Sequence, residues 1–106
     1  MEWYEKVILA HTAVTDAVSH GKRLKSERYF VWIEAERDDL NANNAHAEKL
    51  QRGYTDLFTR REFDPWAGEF EDSLDRLGIP WRRTATLYEE DTGIWHYRWS
   101  WGVRYA

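Results

Sequence analysis

The sequence predicts an α+β domain in which two helices pack on one face of a four-stranded, mainly antiparallel sheet, in the order α-β-β-α-β-β. Three observations lead to this prediction: aromatic and polar residues alternate near the C-terminus, a well-delimited helix begins at Asp64, and an apolar stripe at helical spacing lies near the N-terminus. The chain has 106 residues and no linker rich in proline, glycine or serine. Residues 1–106 are therefore expected to form a single domain.

The first element is expected to be a helix over residues 2–18. Its apolar and aromatic residues fall on one stripe at helical spacing: Trp3, Tyr4, Val7, Ile8, His11, Val14 and Val18. The Ser-His-Gly run at residues 19–21 ends the pattern. Because several stripe residues are β-branched and these are mediocre helix formers, a strand is the alternative for this segment.

Two strands are predicted to follow the first helix. Residues 29–36 are dense in aromatic and β-branched side chains, which favours a strand. The polar segment 38–48 is a loop by composition, because short polar side chains bond to their own backbone. The next strand is expected over residues 49–60, with Gly53 as a candidate site for a β-bulge.

The second helix carries both of its boundary signals. Asp64 is a favourable N-cap and Pro65 suits the first helical position, while Gly78 and Pro80 end the helix. The apolar residues between these signals fall on one face: Trp66, Phe70, Leu74 and Leu77. An amphipathic helix is therefore predicted here.

The last two strands are predicted at residues 81–89 and 94–105, joined by a hairpin turn with Gly93 before the returning strand. The final strand alternates throughout. One face carries Trp95, Tyr97, Trp99, Trp101, Val103 and Tyr105, and the other carries Ile94, His96, Arg98, Ser100, Gly102 and Arg104. This period of two predicts a half-buried antiparallel strand whose aromatic face lies under the two helices.

The aromatic face of that strand has two alternatives to a place in the core. It could be an exposed platform on which a glycan or a nucleic acid stacks, or a surface for another protein. A platform requires Trp95, Trp99 and Trp101 to be exposed to solvent. Their burial therefore discriminates a small binding module from the other interpretations.

Composition restricts the classes of partner. The net charge is −4 and the basic residues are scattered, so a nucleic-acid partner is not expected. No apolar run approaches the roughly 18 residues of a membrane span, and the N-terminus lacks the pattern of a signal peptide. With no cysteine in the chain, disulfides and thiolate ligands are excluded. We expect a soluble protein made inside the cell, with no membrane partner.

Catalysis is not expected either. The four histidines show no metal-binding spacing, and no glycine-rich phosphate loop or nucleophile elbow occurs. Acidic residues at Glu34 and Glu36, or at Glu89 to Asp91, could bind a divalent cation as nucleases do, but no lysine follows at the usual two-residue offset. We therefore expect no enzyme, no metal and no cofactor.

Several segments together resemble a family of small phage and prophage proteins, the tail terminator or tail-completion (minor tail) components of long-tailed phages. The likeness covers about residues 20 to 105. The segments that carry it are Arg28-Tyr29-Phe30-Val31-Trp32-Ile33-Glu34, Asp39-Leu40, Asn43-Asn44, His46-Ala47-Glu48, Gly53-Tyr54-Thr55-Asp56-Leu57-Phe58-Thr59, Leu87-Tyr88-Glu89-Glu90-Asp91-Thr92-Gly93 and His96-Tyr97.

The resemblance implies a structural virion protein whose fold agrees with the one predicted from the residues. It further implies a ring-shaped homo-oligomer, typically six-fold, that caps the tail tube and docks onto the head connector, without catalytic residues. The expected partners are then further copies of the chain, tail-tube proteins and head-connector proteins. The expected location is the cytoplasm of the bacterial host during assembly and afterwards the virion tail or neck.

Such a ring needs protomer surfaces that bind each other. The two helices can cover one sheet face, so Phe30 and Trp32 are predicted on the other face, bordered by arginine. Asp56, in the middle of a strand, needs either a donor or an interface. The predicted interface residues on this face, the polar loop and the hairpin turn are Phe30, Trp32, Asp39, Asn43, Asn44, His46, Asp56, Glu89, Glu90, Asp91, Arg98 and Arg104.

Overall fold

The computed structural model describes residues 1–38 and 49–105. The elements in chain order are α1 (Trp3–Thr12), β1 (Val18–His20), β2 (Arg28–Asp38), β3 (Leu50–Thr59), α2 (Pro65–Arg76), β4 (Trp81–Glu89) and β5 (Ile94–Arg104). The strands form one five-stranded sheet in the order β1-β2-β3-β5-β4. All neighbouring strands are antiparallel except β1 and β2, which are parallel.

The α+β class is confirmed, but the sheet has five strands rather than four. The first helix ends at Thr12 instead of continuing to residue 18. Beyond it, the Thr15 hydroxyl accepts a hydrogen bond from the Ala17 amide at 3.1 Å, a local bond that competes with helix continuation. Val18 then pairs in parallel with Phe30, which makes β1 an edge strand.

The second helix is confirmed with both of its boundaries. Its N-cap, Asp64, accepts a hydrogen bond from the Trp66 amide at 2.9 Å. At its end Gly78 adopts φ 67°, and the Ile79 amide donates to the Leu74 carbonyl at 2.9 Å. This closure is a Schellman motif, in which glycine takes the left-handed position without steric cost.

The core lies between the two helices and one face of the sheet, which we call the inner face. Tyr97, Trp99 and Trp101 of β5 pack there with residues of β2, β3 and both helices: Phe30, Trp32, Leu57, Val7, Ala10, Ala67, Phe70 and Leu74. Trp99 is 0% exposed and Trp101 is 3% exposed, and Trp95 is half-buried. The core interpretation of the aromatic strand is therefore confirmed, and the platform interpretation is wrong.

Gly53 stands beside a bulge rather than in it: it pairs with Glu34, the residue at which the irregularity of β2 begins. The pairing irregularities lie between Glu34 and Arg37 in β2 and between Arg83 and Ala85 in β4. A Cβ atom on Gly53 would lie 2.2 Å from the Trp101 ring, so glycine is required because the indole packs directly against the β3 backbone.

The hairpin between β4 and β5 is confirmed. Gly93 adopts φ 72°, and its amide donates to the Glu89 carbonyl at 2.8 Å. β5 ends at Arg104, one residue before the predicted end. Over residues 1–38 and 49–105, neither helix has the length and hydrophobicity needed to cross a bilayer.

Candidate assembly surfaces

Two of the predicted interface residues, Phe30 and Trp32, belong to the core, so this part of the prediction is wrong. They are 0% and 4% exposed. Phe30 pairs with Leu57, which in turn pairs with Tyr97, and this register places Phe30 and Trp32 on the same inner face as the aromatic residues of β5. The pattern of apolar and polar residues in β2 could not show which of its faces lies in the core, because both faces begin with apolar residues.

The uncovered sheet face, here called the outer face, has a small apolar cluster at its centre. Tyr29, Val31 and Phe58 are buried there, and Ala17 and Ile94 pack against them. The Arg23 guanidinium lies 4.6 Å from the centre of the Phe58 ring. The segment before β2 therefore covers part of this face.

Beside this cluster, Asp56 binds two side chains of β5, His96 and Arg98. Its Oδ1 accepts hydrogen bonds from His96 Nε2 and from Arg98 Nε, each at 2.8 Å. Burial works against the charged form of Asp56, but the hydrogen bonds from His96 and Arg98 outweigh it and hold its pKa below the usual range. The Asp56 carboxylate is therefore ionised and hydrogen-bonded to both side chains. Such a group suits holding neighbouring side chains in place rather than transferring protons.

His96 brings together three of the predicted residues. Besides its bond to Asp56, its Nδ1 lies 4.0 Å from Glu89 Oε1, and Arg98 shares the Asp56 carboxylate. His96 was not among the interface residues predicted from the sequence. The available signal was its position next to Arg98 on the same polar stripe of β5; Arg98 pairs with Asp56, and His96 pairs with Phe58, two residues along β3.

Three further predicted interface residues in the described part of the chain are not part of this group: Glu90, Asp91 and Arg104. Glu90 and Asp91 are exposed in the hairpin turn, and Arg104 is exposed at the other end of β5. Asp39, Asn43, Asn44 and His46 lie outside the described residues, and their role stays a prediction.

A groove runs between α1 and the edge strand β1, and we call it the α1–β1 groove. It has a volume of about 410 Å³. Its lining is mainly apolar, with Tyr4 and Ile8 standing 44% and 42% exposed. The full lining is Trp3, Tyr4, Ile8, Thr12, Asp16, Val18, Ser19, His20, Trp32 and Glu34.

One rim of the groove is held by a histidine. The His20 ring stacks on Trp32 with 4.1 Å between ring centres, and its Nε2 lies 2.6 Å from Glu34 Oε1. The hydrogen bond from His20 lowers the pKa of Glu34. Glu34 therefore stays ionised at neutral pH and gives the groove a negative rim together with Asp16.

Phe63 projects from the turn between β3 and α2, and we call it the Phe63 projection. Its side chain is 85% exposed, and its backbone adopts φ 55° although it is not glycine. It stands at the position before the N-cap, where an apolar residue often packs against the fourth helical residue. That residue is Gly68, which offers no side chain. Sequence reasoning missed Phe63, although this mismatch was visible in the sequence.

The turn that carries Phe63 is firmly held. Asp64 is 3% exposed and accepts hydrogen bonds from Arg28 Nε at 2.8 Å and from the Thr59 hydroxyl at 2.7 Å. The Arg28 guanidinium also lies 3.6 Å from the centre of the Trp66 ring. These contacts hold the backbone next to Phe63 in place.

The buried His11 has a structural role. Its Nδ1 donates to the Val7 carbonyl at 2.6 Å, so Nε2 is left to accept from the Thr55 hydroxyl at 2.9 Å. That hydroxyl in turn accepts from Trp101 Nε1 at 2.8 Å. Burial lowers the pKa of His11 to about 4, so the ring is neutral at physiological pH. Over residues 1–38 and 49–105, no three histidine or acidic residues come together in a way that could hold a metal ion.

Comparison with known proteins shows a likeness in fold. No protein-family model and no curated protein sequence matches the chain. Among solved structures, it is similar to a chain from the virion of a native gene transfer agent particle, with 11% identity and a TM-score of 0.58. The match covers 98% of this chain and 91% of that one. The two chains therefore share a fold along almost their whole length.

Proposed function

We propose that this chain is a structural protein of a phage-like virion, placed in the tail or in the neck between head and tail. There it forms a ring of identical subunits that caps the tail tube and meets the head connector. The observation that carries the proposal is the shared fold, which extends over 98% of the chain and whose counterpart is a component of a gene transfer agent virion.

The sequence segments that resemble tail terminators support the same role. The exposed members of this set include Tyr54, Leu87 and Tyr88, at 37%, 57% and 50% exposure. Large apolar side chains on a small domain are typical of surfaces that another protein covers. An assembly protein explains them better than an isolated domain would.

The chemistry of the described surfaces suits binding rather than catalysis. The Asp56 carboxylate accepts hydrogen bonds from His96 and Arg98. The buried His11 is neutral and hydrogen-bonded on both nitrogens. We therefore propose no enzymatic activity. The alternative of a glycan or nucleic-acid module loses its basis, because Trp99 and Trp101 are inside the core.

The proposed partners are further copies of the chain, tail-tube proteins and head-connector proteins. Assembly would take place in the cytoplasm of the bacterial host, and the protein would end in the virion. The hairpin residues Glu90 and Asp91 and the predicted loop residues 39–46 are the proposed contacts to neighbouring proteins.

The test is deletion of the gene in the genome that encodes the chain, followed by electron microscopy of the particles. We expect unjoined heads together with tails of irregular length, and normal particles when the chain is supplied again. Normal particle numbers, tail lengths and head joining in the deletion strain would contradict the proposal. Trp32→Ala is unsuitable as an interface variant in this experiment, because Trp32 belongs to the core.

A further inference from the structure

We infer that the Phe63 projection of one subunit inserts into the α1–β1 groove of the next, so that a second copy of this chain is the occupant of the groove. The inference rests on the proposed function in that it names the contact that builds the ring. It is drawn from the position, shape and charge of the two surfaces.

The two surfaces lie at different places on the protomer. The groove is bounded by α1 and the edge strand β1, whereas Phe63 lies in the turn between β3 and α2, where it lines a second cavity with Thr86 of β4 and Trp95 of β5. In the folded chain Phe63 is 85% exposed and does not line the α1–β1 groove. A Phe63 ring that fills the groove therefore comes from another molecule.

The shapes and polarities match. The groove has a mainly apolar lining and a volume of about 410 Å³, enough for a phenyl ring with its flanking atoms. Phe63, at 85% exposure, is the most exposed large apolar residue in the described part of the chain, ahead of Met1 at 78%. Aromatic side chains that fill a pocket are the residues that most often dominate the affinity of an interface.

The charges are complementary. Asp16 and Glu34 line the groove, and the segment that leads to Phe63 carries Arg60 and Arg61 beside Glu62. Arg60 already binds Glu27 at 2.9 Å. Within residues 1–38 and 49–105, neither the Arg61 guanidinium nor the Asp16 carboxylate has a hydrogen-bond or ion-pair partner. An Arg61–Asp16 pair across the contact would satisfy both.

The backbone of Phe63 supports a role in recognition. A φ of 55° is strained for an aromatic residue, and such strain persists only where the surroundings impose it. Glycine would occupy this position without strain. The hydrogen bonds of the neighbouring Asp64 hold the turn, so the ring stays exposed at a cost to the folded monomer.

A contact between two different surfaces of identical molecules is heterologous. Repetition of such a contact generates a ring when the rotation closes and a filament when it does not. A ring of identical subunits thus follows from a single kind of contact, which is the arrangement that the proposed function requires.

The test is the dissociation constant for self-association of the full chain, measured by analytical ultracentrifugation over a concentration series. Phe63→Gly is expected to weaken association about tenfold or more, while the melting temperature stays equal or rises because the strain is relieved. Ile8→Ala, in the groove lining, should also weaken it. Leu9→Ala is the matched control, because Leu9 has the same 42% exposure on the same helix but does not line the groove.

A charge exchange tests the partners directly. Asp16→Arg and Arg61→Asp are each expected to weaken association, and the double variant is expected to restore it at least in part. A wild-type chain that stays monomeric up to millimolar concentration would overturn the inference. So would a Phe63→Gly variant that associates like the wild type, even if the groove bound a small apolar dye such as anilinonaphthalene sulfonate. Because the measurement needs no particles, normal virions in the deletion strain would contradict the proposed function and leave this contact standing.

Discussion

At the scale of single residues, the core is organised by polar atoms as well as by apolar packing. Trp101, Thr55 and His11 form a hydrogen-bonded chain that ends on the Val7 carbonyl and joins β5, β3 and α1. Trp99 is fully buried, and its indole nitrogen donates to Glu71 of α2 at 2.8 Å. These directional bonds fix how the two helices sit on the aromatic face.

The His11 pKa predicts how stability depends on pH. Burial lowers it from 6.5 to about 4, so the unfolded chain binds more protons than the folded chain between these values. The free energy of unfolding should therefore fall as the pH drops from about 6.5 to about 4, by on the order of 3 kcal/mol. Urea unfolding of the wild type and of His11→Gln across this range checks it. The difference between the two slopes isolates His11, and identical slopes would contradict the prediction.

The glycines offer a matched pair of substitutions. Gly53→Ala should destabilise the fold by about 1–3 kcal/mol or more, because its Cβ would lie 2.2 Å from the Trp101 ring in the packed core. Gly68→Ala, inside α2 with nothing within 4 Å of the new Cβ, should stabilise it by up to about 1 kcal/mol. Thermal unfolding of both variants measures this. Equal effects of the two substitutions would show that the Trp101 contact is not tight.

At the scale of elements, the sequence predicted those features that depend on residues close together in the chain. The ends of α2 depend on residues within and beside the helix, such as Asp64 and Gly78, and both could be placed in advance. β1 could not, because three residues carry no period and the strand exists only through its pairing with Phe30 to Trp32 of β2. The orientation of β2 failed for the same reason: its inner face is defined by register with β3 and β5.

The same distinction separates the candidate surfaces that could be predicted from the one that could not. Asp56 and Arg98 were predicted at the interface, since a carboxylate in a strand needs a donor, and they pair on the outer face. The α1–β1 groove could not be predicted, because it depends on the missed strand β1.

The N-terminal cap of α2 is expected to be the most sensitive polar site. Asp64→Ala removes the helix cap and leaves Arg28 without the carboxylate that it binds, so we expect a loss of about 3–5 kcal/mol. Asp72→Ala, an exposed position on the same helix, serves as the control and should change stability by roughly 0.5 kcal/mol or less. Chemical denaturation of both variants measures the difference. A loss from Asp64→Ala as small as that from Asp72→Ala would contradict the assigned role of the cap.

At the scale of the whole molecule, the sheet presents two unlike margins and one partly covered face. The groove at the β1 margin and the Phe63 projection in the turn between β3 and α2 are two different surfaces, and they give the protomer a direction. The outer face adds the cluster around Asp56, His96 and Arg98, which we propose as a surface for a different partner. A directional protomer with an additional surface is what a ring between a tail tube and a head connector needs.

The most direct test of the central claim is a cryo-electron microscopy reconstruction of particles produced by the genome that encodes the chain. The account predicts copies of this α+β domain arranged as a ring around the tail axis, at the end of the tail or in the neck. Phe63 of each copy should lie in the α1–β1 groove of the next. Complete particles without this domain, confirmed by mass spectrometry of the purified virions, would contradict the claim that the chain is a structural component of the virion.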